Sequence, residues 1–166
     1  MAAKENKRIY RRYIELLNAQ KLDSLSEVVD PEKYREICVG FTPGWVDLPE
    51  AVDSLDKVVA GIPDLHARIE DCVAEDDKVY ARLTVTGTNS GNFYGIPATG
   101  GTYEVNMFDY ARIEDGKIVE RIQQSDTLSQ MRQMYGGVAK KGAALGGLVG
   151  AAAILRAVVR RARTSK

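Results

Sequence analysis

From Tyr103 to Ile113 every second residue is apolar except one, Asp109. A period of two sends alternate side chains to one face of an extended strand, and no helix can use it. The pattern recurs on either side. Leu65, Ala67, Ile69, Asp71 and Val73 alternate with His66, Arg68, Glu70 and Cys72, and Val79, Ala81, Leu83 and Val85 continue it. Ile118, Glu120, Ile122, Gln124 and Asp126 share one face of a further strand. Glu75-Asp76-Asp77 and Asp115-Gly116 mark turns, while residues 87–101 form a loop rich in Gly, Asn, Ser and Pro. The spacing predicts a four-strand antiparallel meander.

The residues before it carry helical periods instead. Ile9, Tyr13, Leu16, Leu17 and Gln20 predict a helix over 4–19, with Lys and Arg on its other face. Asp23 is the expected N-cap of a second short helix that ends at Pro31. Asp47-Leu48-Pro49 opens a third, with Val52, Leu55, Val58 and Val59 as its stripe and Gly61-Ile62-Pro63 as its stop. Thr127 onward predicts a final short helix ended by Gly136-Gly137. Helices followed by a meander give an α+β class, a curved antiparallel sheet wrapped around its N-terminal helices. A sheet curled in this way leaves a hollow suited to a small apolar molecule.

With 166 residues, 45% of them hydrophobic, the chain supports one core, expected over 1–136, followed by a tail over 137–166. The zero net charge conceals an asymmetry. Residues 1–136 hold 16 basic against 23 acidic residues, and the tail holds seven basic and none acidic. An acidic body does not attract nucleic acid. In the tail Gly142, Gly146 and Gly150 recur every fourth position. Its uncharged run from 142 to 155 falls short of the ~20 residues that span a bilayer. The expectations for 138–166 are a basic tail, peripheral contact with an anionic membrane, or self-association through a helix. Cys38 and Cys72 stand far apart and read as free thiols of a reducing compartment, and the charged start is no signal peptide, so the expected address is cytoplasmic.

Several segments in order resemble a known family: Pro63-Asp64, Gly87-Thr88, the loop Gly95-Ile96-Pro97 with Thr99-Gly100, Asp115-Gly116-Lys117-Ile118, and Asp126 two residues before Leu128. Together they resemble the SnoaL-like polyketide cyclases of the nuclear transport factor two superfamily, over about residues 9–136. The resemblance implies a cone-shaped α+β fold, a small homo-oligomer, and an aldol-type ring closure or isomerisation with no metal or organic cofactor. It also implies an aspartate acid/base, matched here by Asp126. The sequence departs from the family at Asn89, where relatives have histidine, and at Arg121-Ile122, where they often have His-Trp.

Two carboxylates are therefore the catalytic candidates. Asp126 stands where a strand yields to a helix, as an N-cap, a pocket acid/base, or both. Asp109 interrupts an apolar strand face. A buried carboxylate must be paired, protonated or turned to a polar cavity. The pairing arginines on offer are Arg82, Arg112 and Arg121. Asn89, Tyr13, Met107 and Phe93 are the candidate substrate-binding residues, with loop capping for Asn89 and plain packing for Tyr13 as the alternatives. The only histidine, His66, falls on a polar strand face. The functions in view are a cyclase or isomerase, a non-catalytic carrier of a small hydrophobic molecule, and an interaction module that needs no hollow.

Overall fold

The structure, a computed structural model, describes residues 2–146 apart from Gly40 and Pro43, with side chains through residue 137. Expectations for the chain beyond Gly146 lie outside the described residues. The order is α1 (Ala2–Asn18), a 3-10 turn (Leu22–Glu27), β1 (Arg35–Val39), α2 (Leu48–Gly61), β2 (His66–Glu75), β3 (Lys78–Thr88), β4 (Thr102–Glu114), β5 (Lys117–Ser125) and α3 (Thr127–Gly146). The strands form one curved, unclosed sheet in the order β1-β5-β4-β3-β2, with the helices packed on it. This is the expected α+β architecture, with one addition. The short run REICV forms β1, which pairs in parallel with β5 on the far edge of the antiparallel meander.

Alternation decides which side chains enter the core. On β3, Val79, Ala81, Leu83 and Val85 are all buried, and on β4 so are Tyr103, Val105, Asp109, Ala111 and Ile113. Two irregularities reset the alternation elsewhere. A bulge between Ile69 and Asp71 turns Cys72 and Ala74 inward and leaves Val73 60% exposed on the outer face. A second, between Arg112 and Ile113, shifts β4 against β5. The inward residues of β5 past Ile118 become Arg121 and Gln123, while Glu120, Ile122 and Gln124 face out. The expected single face from Ile118 to Asp126 therefore does not exist, because a one-residue shift exchanges the two faces.

The helices start and stop for local reasons. Asp47 caps α2 by accepting the Glu50 N–H at 3.0 Å, with Pro49 in the first turn. The expected stripe Val52, Leu55, Val58 and Val59 is only half-buried, and Ala51 is the fully buried residue of that face. Asp23 lies inside the 3-10 turn and caps nothing; the turn follows Lys21 without a side-chain cap. Gly136-Gly137 do not end α3, which continues to Gly146. Each interior glycine costs a helix only about 1 kcal/mol, and no proline follows.

α1 is fastened to the sheet at both ends. Asn6 donates to the Asp76 carbonyl at 2.9 Å, and Asn18 exchanges two hydrogen bonds with the Ala67 backbone at 2.8 and 2.9 Å. Between them Ile9, Tyr10, Tyr13, Ile14 and Leu16 are buried. That pinning aims two tyrosines, one helical turn apart, at the inner faces of β4 and β5. Among the described residues no helix is long and apolar enough to cross a membrane.

Candidate functional site

Asp109 lies on β4 directly across from Gln123 on β5, and Arg121 sits two residues before Gln123 on the same inward face. Asp109 is 3% exposed and Arg121 1%. Arg121 Nη2 donates to Asp109 Oδ2 at 2.7 Å, and Nε donates to Oδ2 at 2.9 Å and Oδ1 at 3.1 Å. The Tyr10 hydroxyl donates to Oδ2 at 2.8 Å. Of the three arginines the sequence offers, alternation turns Arg82 and Arg112 outward, and Arg112 meets Glu114 and Glu120 there. Arg121 is the partner.

The cluster extends to β1, where register places Glu36 beside Arg121. Arg121 Nη1 donates to Glu36 Oε2 at 3.2 Å and to the Tyr13 hydroxyl at 2.9 Å. Tyr34 donates to Glu36 Oε2 at 2.7 Å, and the Tyr13 and Tyr34 hydroxyls stand 3.4 Å apart. The guanidinium also lies 4.8 Å from the Tyr13 ring centre. A longer contact to Gln123 Oε1, at 3.4 Å, occupies the last of its five N–H groups.

Burial governs the acid–base character of this cluster. It pushes the Asp109 carboxyl up, with Arg121 and the Tyr10 hydroxyl pulling the other way. It raises the Tyr13 phenol to about 12 and drives those of Tyr10 and Tyr34 well above the ordinary phenol value. The neighbouring Cys38 thiol rises to about 12 for the same reason. Burial works against the Arg121 charge, but Asp109, Tyr13 and Glu36 outweigh it and hold the guanidinium protonated. The phenols and the thiol therefore stay neutral near pH 7, and of this cluster Asp109 is the group whose carboxyl is raised toward it.

The other candidates are placed differently. Asp126 is exposed at the N-cap of α3, where its Oδ1 accepts the Ser129 N–H at 3.0 Å, and the Ser129 side chain, followed by that N–H, holds its carboxyl below the usual range. It falls past the end of β5, on the side the register shift turns away from the interior, so the acid/base role expected of it has no interior carboxylate there. Asn89 is fully buried but committed to its own loop. Its oxygen accepts the Thr99 N–H at 3.0 Å and hydroxyl at 3.1 Å, and its amide donates to the Gly91 carbonyl at 3.1 Å. Phe93 is buried in that loop against Gly61 and meets Tyr94 edge-on at 5.0 Å. Met107 is half-buried on the Asp109 face, and His66 is exposed.

Of the sequence candidates, then, the structure brings together Asp109 and Tyr13. Tyr10, Tyr34, Glu36 and Gln123 join them, and so does Arg121, one of the three pairing arginines and a position where the sequence departs from the family. Tyr10 had a signal, since it lies three residues before Tyr13 on one helix. Glu36 had none, because its strand is five residues long, too short to show a pattern of its own. A surface hollow of about 440 Å³ lies elsewhere, along α3, lined by Ser129, Arg132, Gln133, Gly136 and Gly137. It shares no residue with the cluster.

The shared motifs also acquire a physical role. Asp64 accepts both the N–H and the hydroxyl of Thr88 at 2.7 Å, tying Pro63-Asp64 to Gly87-Thr88. Thr99 bridges Asn89 to the Met134 carbonyl of α3 at 2.7 Å. These residues clamp the loop over one end of the sheet.

The sequence profile of the SnoaL-like polyketide cyclases matches residues 7–134. Aklanonic acid methyl ester cyclase DnrD of Streptomyces peucetius is 28% identical over 128 residues, covering 76% of this chain and 88% of DnrD. Among solved structures, IdmH of Streptomyces antibioticus, a proposed polyketide cyclase, superposes with a TM-score of 0.70 at 27% identity, over 77% of this chain and 96% of IdmH. A SnoaL-like polyketide cyclase of Agrobacterium tumefaciens gives 0.63 at 27% identity, over 77% of this chain and 96% of its own. With the profile spanning nearly the whole helix-and-sheet body, the chain belongs to the SnoaL-like polyketide cyclase family.

Proposed function

We propose that the chain catalyses a cofactor-free aldol-type ring closure on a largely apolar, polyketide-like carbonyl substrate, with Asp109 as the acid/base. The supporting observation is the asymmetry of its two carboxylate oxygens. Among the described residues Oδ2 accepts three hydrogen bonds, whereas Oδ1 accepts only the Arg121 Nε contact at 3.1 Å. Oδ1 is thus the oxygen with a lone pair free for a proton on the carbon beside a carbonyl. Removal of that proton gives an enolate, and the Arg121 charge next to it offsets the negative charge that develops. The enolate carbon attacks a second carbonyl of the same molecule to form the ring bond. The resulting alkoxide takes the proton back from Asp109, so the reaction is an isomerisation with no atom gained or lost. Burial favours the step by making the carboxylate a stronger base than it is in water.

Aklanonic acid methyl ester, the substrate named for DnrD, is the first compound to offer. Incubation with the wild-type chain is expected to give a product of unchanged mass and altered retention and absorbance. D109N is expected to lose about 10²–10⁴-fold in kcat, the usual contribution of a positioned acid/base. A D109N variant that turns over like the wild type defeats the assignment.

One observation favours a second reading. Every N–H of Arg121 already has an acceptor inside the protein, so the cluster needs no substrate to complete it. On that reading the chain binds a small hydrophobic molecule without changing it. Calorimetry would then show saturable binding while chromatography returned the compound intact.

A further inference from the structure

Glu36 and Asp109 lie on opposite sides of Arg121, on β1 and β4, with β5 between them. Their side chains are 4% and 0% exposed, and that of Arg121 is 2%. Among the described residues Arg121 is the one cation that either carboxylate meets. Two ionised carboxylates around one guanidinium leave a net negative charge away from water, which a protein interior avoids by keeping a proton.

We infer that Glu36 is a positioning residue of this site: its buried negative charge, held on the far side of Arg121, sets how firmly Asp109 keeps a proton. This rests on the reading of Asp109 as the acid/base. The other titratable groups around the cluster are Tyr10 and Tyr13 from α1, Tyr34 before β1, Cys38 on β1 and Tyr94 from the loop. Burial raises all five, so each stays neutral near pH 7 and none supplies a countercharge. Geometry divides the roles. Arg121 makes its bifurcated, closest contacts with Asp109 and only one longer contact with Glu36. Tyr34 and Arg121 both reach the same oxygen of Glu36, Oε2. The charge of Glu36 thereby passes through Arg121 to the oxygen that would accept the substrate proton.

Carboxyl carbons of Asp and Glu can be followed by 13C NMR across pH in the wild type and in E36Q. Glutamine keeps the oxygen that Tyr34 and Arg121 contact and removes the charge. In the wild type the Asp109 carboxyl is expected to titrate above the ordinary carboxylate range. In E36Q the Asp109 signal is expected to move to lower pH, because Arg121 then serves one carboxylate alone. With a turned-over substrate, the acid limb of kcat/KM moves down with it, by about one pH unit or more. The inference is overturned if the wild-type Asp109 carboxyl is fully ionised by about pH 5, or if it titrates identically in the two proteins. Should E36Q fail to fold, the wild-type titration decides alone. A shifted Asp109 titration without turnover would remove the proposed function and leave the Glu36–Asp109 coupling standing; turnover with an unshifted titration would do the reverse.

Discussion

Asp109 and Asp126 are the same side chain placed in opposite solvents. Asp126 is held by one backbone N–H in water, and its depressed carboxyl stabilises the native state above the unfolded value of about 3.9. That stabilisation disappears as pH falls through the lower native value. Asparagine caps as well as aspartate, so D126N is expected to keep both melting temperature and turnover. D126A is expected to melt below the wild type at neutral pH, with the gap closing on acidification. Differential scanning calorimetry at several pH values measures this, and a D126N protein that folds but is inactive would return catalysis to Asp126. Around Asp109 the cost is of another kind. R121M strands two buried carboxylates and is expected to lose about 3–5 kcal/mol. The triple variant E36L/D109L/R121M removes every stranded charge and is expected to regain much of that loss. Urea unfolding decides, and a triple variant weaker than R121M would mean that shape, rather than charge balance, governs this core. The sequence made half of this legible. Asp109 stood out because it interrupts an apolar face, whereas Glu36 sits in a run too short and too charged to show alternation.

At the scale of elements, the loop over residues 87–101 is held by close backbone approach. A Cβ at Gly101 would lie 2.2 Å from the Met134 carbonyl oxygen of α3, and one at Gly91 would lie 1.9 Å from that of Ala60 in α2. Backbone atoms cannot step aside as a flexible side chain can, so G101A is expected to cost about 1–3 kcal/mol as an overpacked contact. G44A meets nothing within 4 Å and serves as the neutral control. Equal melting temperatures for the two variants would show that loop and helix are not locked together. The loop's existence was plain from its glycines, but its clamp was not, because Asp64–Thr88 and Thr99–Met134 join residues 24 and 35 positions apart. The facing of β5 was hidden for a related reason. A bulge inserts one residue without any composition of its own, and here it exchanged the inward residues Arg121 and Gln123 for the face that ends at Asp126. Periodicity locates strands well and fails at the irregularities that aim their side chains.

For the whole molecule, the informative surface is the side of the sheet away from the helices. Cross-strand register aligns Val73, Tyr80, Tyr110, Ile122 and Ile37 in one row across all five strands. Phe108, 62% exposed, stands in the adjacent row beside Arg82 and Gln124. Tyr80 and Tyr110 pack ring to ring at 5.2 Å, and Val73 and Tyr80 are 60% and 49% exposed. Contiguous exposed apolar surface of this kind marks a contact site rather than a solvated face. We propose that a second copy of the chain covers it, in keeping with the small homo-oligomer that the family resemblance implies. A two-fold contact brings one patch against itself, and a row spanning the sheet can lie across its own copy without any further feature. The bulge at Ile69–Asp71 contributes directly, because it is what turns Val73 outward to extend the row. Charges placed at the centre of such an interface face each other across the axis and repel. Y80E/F108E is therefore expected to run as a monomer in size-exclusion chromatography with light scattering, and the wild type is expected to run as a dimer. Its melting temperature should then fall with dilution less than that of the wild type, whose folding is linked to association. A wild type that is monomeric at micromolar concentration removes the interface, and an unchanged dimer in the variant places it on another face.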